Sequence, residues 1–415
     1  MTAGRPPGPA VVVTGIGLNT ALGNGREATW SALRAGRSGC RRLDIPGVSD
    51  FVGFVRQNPH PGPRGPLLQA ANEAFLDAGL TPGSFDPFRA GCVVGLSKGD
   101  LDCLSESHRQ FLSGGPSAMT EDWTGGWPAV GSRLVGNCWS LLGPRLTPVA
   151  ACATGLIAAL RGADLIRRGE CDVVLAGAGD ASLEPLVLGA FRRMGVLAPV
   201  RDGDDPARAV RPWDRNRSGF LVGEGGAVLV LEREDHARSR GVLPYCEFAG
   251  GLFGADAHHM TDLDPDPTNL AGLIGRALDL SGVEPAGLDH VNVHGTATRS
   301  NDPLECQALK LALGEHAGGV SCSASKAQVG HCLGAAGAVE LALTCLAVRD
   351  QFVPPTLNLD DPDPLCDLDA TPHVGRPRPV RAALKLSLGF GGHLAAAVVR
   401  QVEGGRPAAS QDAPP

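Results

Sequence analysis

Cys152 in VAACATG, His294 in VNVHGTATRSNDPLE and His331 in SASKAQVGHCLGAAGAVE lie far apart in the chain, yet their side chains read as one reaction centre. A thiol with two imidazoles is a set suited to handling thioesters. Cys152 sits between the extended-looking run LTPVAA and the segment ATGLIAALRGADLIRR, where Leu156, Ile157, Leu160 and Leu165 recur at near-helical spacing. The sulfur is therefore expected at a helix N-terminus, where the macrodipole and free backbone N–H groups favour thiolate over thiol.

Strands and helices must alternate to bring these residues together. AVVVTGIGLNT is a β-branched run closed by glycines, a buried strand feeding a loop, and ATWSALRAGRSG reads as a helix ended by glycine. Further strands are expected at 91–95, 172–179, 226–232, 290–295 and 394–402, with helices such as LLQAANEAFLDAG and AAGAVELALTCLAVRD between them. That alternation favours a layered α/β architecture. CATGLIAALRGADLIRRG and GHCLGAAGAVELALTCLAVRD each place a reactive residue before an Ala/Leu-rich helix, an echo that suits a duplicated fold. The expected divisions are 1–250, carrying Cys152, and 251–403, carrying both histidines, followed by a disordered tail at 404–415.

Bulk properties narrow the function. The chain has 415 residues, 43% apolar and 4% aromatic, with 57 Gly and 33 Pro, which suits a large α/β enzyme with many tight turns. A net charge of −7 argues against a general polyanion binder, so no nucleic-acid partner is expected. The 12 cysteines are scattered, without a CxxC pair or zinc-ligand spacing; reduced thiols and no metal site are the expectation. The acidic stretches DLDPDPTNL and NLDDPDPLCDLD are broken by prolines and read as solvated loops. No basic leader with an apolar core opens the sequence, and no run approaches about 18 apolar residues, so no membrane partner and a cytoplasmic location are expected.

VVVTGIG, GPRLTPVAACATG, PWDRNRSGFLVGEGGAVLVLE, GADAHHMT, HGTATRSNDPLE, SKAQVGHCLGAAGAVE and LGFGG follow one another along nearly the whole chain. In this order they resemble the β-ketoacyl-acyl-carrier-protein synthases of the Cys-His-His type, the condensing enzymes of fatty acid, polyene and polyketide synthesis. The resemblance implies a thiolase-like fold, two pseudo-symmetric halves in a layered αβαβα arrangement, and a homodimer. It implies that Cys152 takes the acyl chain as a thioester while His294 and His331 hydrogen-bond the malonyl thioester carbonyl. It further implies that Lys326 organises the site with Glu305, that Asp302 is structural, and that Thr296 and Thr298 hold the phosphopantetheine arm. Phe390 would be a gate, its N–H forming an oxyanion hole with that of Cys152. The implied partner is an acyl-carrier protein, and the protein itself needs no cofactor.

The chemistry explains the residue types. Decarboxylating a malonyl thioester leaves an enolate with charge on the thioester oxygen, and two N–H donors stabilise it. They must be neutral donors, which a nearby Lys326 cation favours.

Departures from the family pattern lie around the centre. Lys98 in VVGLSKGDL stands where relatives place an apolar acyl-pocket residue, so it is expected either to pair with a carboxylate or to mark an unusual acyl group. Trp123 and Trp127 in DWTGGWPAVG are candidate caps of the acyl cavity, and Leu386, Leu388, His393 and Leu394 alter the gate motif. VRQNPHPGPRGPLLQ replaces a basic docking helix, leaving Arg41, Arg42, Arg192, Arg193 or Arg201 as candidate docking residues. The competing reading is a non-catalytic chain-length-determining partner subunit of a heterodimer, which an intact Cys152 disfavours. A thiolase or initiating synthase fits less well, because His331 and His393 stand where those enzymes use asparagine and cysteine.

Overall fold

A computed structural model describes residues 8–43, 51–56, 62–119 and 123–408, with the Trp123 side chain outside the described set. Ten strands carry the architecture: β1 Val11–Thr20, β2 Ala90–Gly95, β3 Arg145–Leu146, β4 Val173–Asp180, β5 Gly225–Arg233, β6 Cys246–Ala255, β7 His290–Asn292, β8 Ser321–Ser323, β9 Ala382–Gly389 and β10 His393–Arg400. They form one continuous sheet in the order β8-β7-β9-β10-β6-β1-β5-β4-β2-β3, extended by a two-residue strand, Gly23–Asn24, that folds back on β1.

The sheet is a duplication. Outward from the β1/β6 seam, the first half reads β1-β5-β4-β2-β3 and the second β6-β10-β9-β7-β8, the same order of strands by rank. Pairing senses match as well: two antiparallel ladders, then two parallel ones, in each half. The halves join where Val12 pairs with Glu247 and Val13 with Cys246.

Two helices fill the space between the half-sheets, Thr154–Arg167 from the first half and Ala336–Asp350 from the second. Ala336 to Arg349 is buried on every side, which explains a helix without a polar stripe. Small residues let the two helices approach: a Cβ on Gly155 would stand 2.5 Å from Ala338 N, and one on Gly337 2.7 Å from Leu156 N. Arg64–Asp77 covers the outer face of β1 and β5, and Thr268–Ser281 that of β6 and β10. The result is the αβαβα layering and thiolase-like fold implied by the sequence.

Two expected boundaries need correction. The division at 250/251 falls inside β6, where Gly250 pairs with Val398 and Gly251 with Ala397 of β10. The tail begins later than 404. Arg406 donates to Asp77 Oδ1 at 2.6 Å, to the Tyr245 hydroxyl at 3.0 Å and to the carbonyls of Thr14 and Asp77 at 2.8 Å, so these residues are fastened to the first half. Residues 409–415 lie outside the described set.

Candidate active site

Cys152 occupies a 3-10 turn, Ala151–Ala153, that runs directly into the helix Thr154–Arg167. The turn is tight: Ala151 has φ +45°, left-handed for a residue with a side chain. It is held locally by Thr154 Oγ1 accepting the Ala150 N–H at 2.9 Å and by Ala153 N–H donating to Ala150 O at 3.0 Å. The β9–β10 turn comes down on it from the second half. A Cβ on Gly389 would stand 2.7 Å from Ala150 O and 3.2 Å from Cys152 N, so only glycine permits this approach. Next to it, the Phe390 N–H pulls the Cys152 thiol down.

The expectation of a ready thiolate needs correction. Burial pushes the Cys152 thiol up to about 11, against the pull of Lys98 and Lys326 and of the Phe390 N–H. The sulfur sits among Leu183, Val187, Leu188, Phe220 and Leu333, and desolvation by these apolar groups outweighs the stabilisation at the helix end.

His294 follows β7 and His331 follows the short helix Lys326–Val329. Their rings meet edge to face, centroids 5.4 Å apart, and Phe220 packs edge-on against His331 at 4.8 Å. His331 is pinned to the first half, its N–H donating to Leu221 O and its carbonyl accepting from Gly223 N, each at 2.9 Å. Both imidazoles are held well below their usual range, first by burial and then by the Lys326 cation. This environment favours neutral imidazole over imidazolium. Lys326 Nζ lies 3.4 Å from His294 Nδ1; an ammonium can only donate, so the ring proton of His294 resides on Nε2.

Lys326 forms its ion pair outside the His294 motif. Lys326 Nζ pairs with Glu340 Oε1 at 2.6 Å and also donates to the His294 carbonyl. Glu340 in turn contacts Lys385 Nζ at 2.7 Å, and Lys385 donates to Asn292 Oδ1 at 3.2 Å. Glu305 does something else: it accepts the backbone N–H groups of His294 and of Gly295, the latter at 2.9 Å, fixing the chain where it leaves β7. Burial raises its carboxyl to about 7. Glu340, the last residue of SKAQVGHCLGAAGAVE, and Lys385, in the KLSLGFGG run, were missed as functional residues.

Asp302 is structural, as expected. It accepts the N–H groups of Trp213 at 2.8 Å and Ala297 at 3.1 Å, two residues with positive φ. Thr296 and Thr298 share a hydrogen bond of 2.9 Å between their hydroxyls.

Cys152, His294, His331, Thr296, Thr298 and Phe390 line one cavity of about 660 Å³. Lys98 and Trp127 are not among its lining residues. Lys98 Nζ instead pairs with Asp180 at 2.7 Å, the carboxylate alternative raised above, and Trp127 is half exposed. The Trp123 side chain and residues 57–61 of the docking segment lie outside the described residues. Of the candidate docking arginines, Arg192 stacks over Phe51 at 3.6 Å and Arg42 donates to Arg201 O at 2.8 Å. Arg192 also borders a small cleft whose Leu197 and Pro199 line the main cavity as well.

Comparison with known proteins gives a consistent picture. Residues 65–237 match the family model for the N-terminal domain of β-ketoacyl synthase and 245–360 that for its C-terminal domain. The chain is 37% identical to the tetracenomycin polyketide synthase ketoacyl synthase alpha subunit of Streptomyces glaucescens, over 94% of this chain and 96% of that one. It is 33% identical to the 3-oxoacyl-[acyl-carrier-protein] synthase 2 of Coxiella burnetii, over 92% and 96%. A solved type II polyketide ketosynthase, bound to a hexaketide and complexed with its acyl-carrier protein, superposes with a TM-score of 0.91 at 32% identity, covering 95% of this chain and 100% of that one.

Proposed function

The chain belongs to the β-ketoacyl synthase family of condensing acyltransferases, and on that premise we propose that Cys152, His294 and His331 carry out a decarboxylative condensation on carrier-bound substrates. The single observation that carries the assignment is that one cavity is lined by a thiol and two imidazoles held neutral.

In the first step Cys152 Sγ attacks the acyl thioester. The carbon–sulfur bond to the phosphopantetheine arm breaks, and the thiol proton of Cys152 leaves with the arm. The Cys152 and Phe390 N–H groups receive the developing oxyanion, and Thr296 and Thr298 steady the arm. In the second step the malonyl carbon–carboxylate bond breaks and carbon dioxide departs. His294 and His331 donate to the enolate oxygen. The enolate carbon then attacks the Cys152 thioester; a carbon–carbon bond forms, the bond to Cys152 breaks, and the sulfur takes up a proton from solvent.

The partner in this reading is an acyl-carrier protein, with Arg41, Arg42, Arg192, Arg193 and Arg201 as its candidate docking residues. A homodimer is supported by Leu142, Leu146 and Val149, exposed apolar residues along the open sheet edge at β3. A cytoplasmic setting agrees with 12 free cysteines. Among the described residues, no helix is long and apolar enough to cross a membrane. The non-catalytic partner-subunit reading has no observation in its favour, since nucleophile and both donors are present. Incubation with an acyl-carrier thioester and malonyl-carrier protein should yield a β-ketoacyl-carrier product by mass spectrometry; a loaded Cys152 that gives no such product would overturn the reading.

A further inference from the structure

Lys98 and Asp180 stand outside the cavity lining yet are joined to the reaction centre from two sides. Lys98 Nζ donates to Asp180 Oδ2 at 2.7 Å and to Ser97 Oγ at 3.0 Å. The same carboxylate oxygen accepts the Gly334 backbone N–H at 3.1 Å and the Ser97 hydroxyl at 3.0 Å, and the other oxygen accepts from Ser182. Gly334 follows His331, Cys332 and Leu333 in the chain, and Leu333 lines the cavity. The fit is close: a Cβ on Gly334 would stand 2.5 Å from Ser97 Oγ.

The flanking residues reach the nucleophile too. Leu101, three residues after Lys98, and Leu183, three after Asp180, pack in the apolar cluster that contains Cys152. The remaining charges on these two segments are already engaged. Asp100 holds Arg64 at 2.6 Å, and the neighbouring Asp102 raises the Glu184 carboxyl to about 8. The charges that bear most on Cys152 are the cations Lys98 and Lys326, which favour thiolate, and Asp180, which opposes it; His294 and His331 are held well below their usual range.

We propose that Lys98 is a positioning residue for the condensation, holding the His331 loop through Asp180 and Gly334 and setting a second cation, besides Lys326, on the segments that flank the apolar cluster of Cys152. The inference rests on the reading of Cys152 as the nucleophile. A sulfur buried among apolar groups carries negative charge when it attacks and again when it leaves. A fixed cation nearby offsets that charge without reorganising. A pair that served stability alone would need only a neutral sum, so Lys98 and Asp180 together could be replaced by uncharged residues without consequence for the sulfur.

The test is the pH dependence of Cys152 alkylation by iodoacetamide in the full-length protein, with the modified cysteine identified by peptide mass. Lys98→Met should move the profile to higher pH and slow alkylation about tenfold at pH 7.5, the effect of one pKa unit on the thiolate fraction. Lys98→Arg should keep the wild-type profile. Lys98→Met/Asp180→Asn, which removes both charges, should stay shifted. A Lys98→Met protein with the wild-type profile would overturn the proposal. So would full recovery in the double variant, because the effect would then belong to an uncompensated Asp180. Alkylation requires no acyl substrate, so its outcome is separate from a failure of wild-type protein to load acyl groups, which would count against the proposed function instead.

Discussion

Lys326 Nζ lies 2.6 Å from Glu340 Oε1, and neither side chain has appreciable contact with solvent. Glu340 also meets Lys385, so one carboxylate compensates two buried ammonium groups behind the histidines. Removing one partner of a buried pair leaves an uncompensated charge and costs about 3–5 kcal/mol. Glu340→Ala should therefore show a markedly lower urea midpoint. Unfolding indistinguishable from wild type would mean that the cations are satisfied elsewhere.

The two histidines are expected to act on the enolate and not on acyl loading. Losing one such donor typically costs about 2.7–4 kcal/mol, a factor of roughly 100 to 1,000. His331→Ala should lose malonyl decarboxylation on that scale while still forming an acyl adduct on Cys152. Near-normal turnover would contradict the two-donor mechanism.

The same electrostatics bear on pH. Both imidazoles are held well below their usual range, so decarboxylation should show no inflection near pH 6.5 attributable to them. Turnover followed from pH 8 to 6 checks this. A fall centred near 6.5 that disappears in a histidine variant would show a ring titrating where this environment forbids it.

Acid should destabilise the fold through a different histidine. His290 is fully buried, its Nδ1 lies 2.9 Å from Ser321 O, and burial lowers it to about 4. Its folded value is below its unfolded one, so the stability it contributes is present above about pH 6.5 and is lost as pH falls through about 4. The shift corresponds to ~3 kcal/mol. Urea unfolding at pH 6.5 and 4.5 should show a smaller loss in His290→Gln than in wild type; equal losses would assign the acid sensitivity to other groups.

The Arg406 side chain fastens the end of the described chain by five hydrogen bonds and stacks over Tyr245 at 4.3 Å. A hydrogen bond to a charged group contributes about 1.5–3 kcal/mol. Arg406→Ala should lower the unfolding free energy by about that amount, measured by urea titration. An unchanged midpoint would return residues 404–408 to the tail.

The site residues were legible because their motifs carry them: Cys152, His294 and His331 share the cavity, and Thr296, Thr298 and Phe390 join them there. The ion-pair partner of Lys326 was not. Glu305 is the acidic residue of the His294 motif, but the chain leaving β7 turns it onto backbone N–H groups, while the pairing Lys326–Glu340 bridges a short helix and the following long one. Strands with continuous apolar runs, such as β5, were read from sequence. β6 was not, because Gly250, Gly251 and Gly254 interrupt its pattern, nor was β9, where buried Lys385 and Ser387 break it. In β9 the polar residue is the informative one, since Lys385 completes the charge arrangement around Glu340. Lys98 was flagged by its departure from the family pattern, and the carboxylate that answers it, Asp180, stands at the end of β4, the strand paired with the β2 that precedes Lys98.

The central claim is that Cys152 carries the acyl chain. Wild-type protein and Cys152→Ala, each incubated with an acyl-carrier thioester, can be compared by intact mass and peptide mapping beside a ketosynthase known to load. The expected result is a single acyl adduct on the Cys152 peptide, absent in Cys152→Ala. No adduct while the control loads, or an adduct on another cysteine that persists in Cys152→Ala, would contradict it.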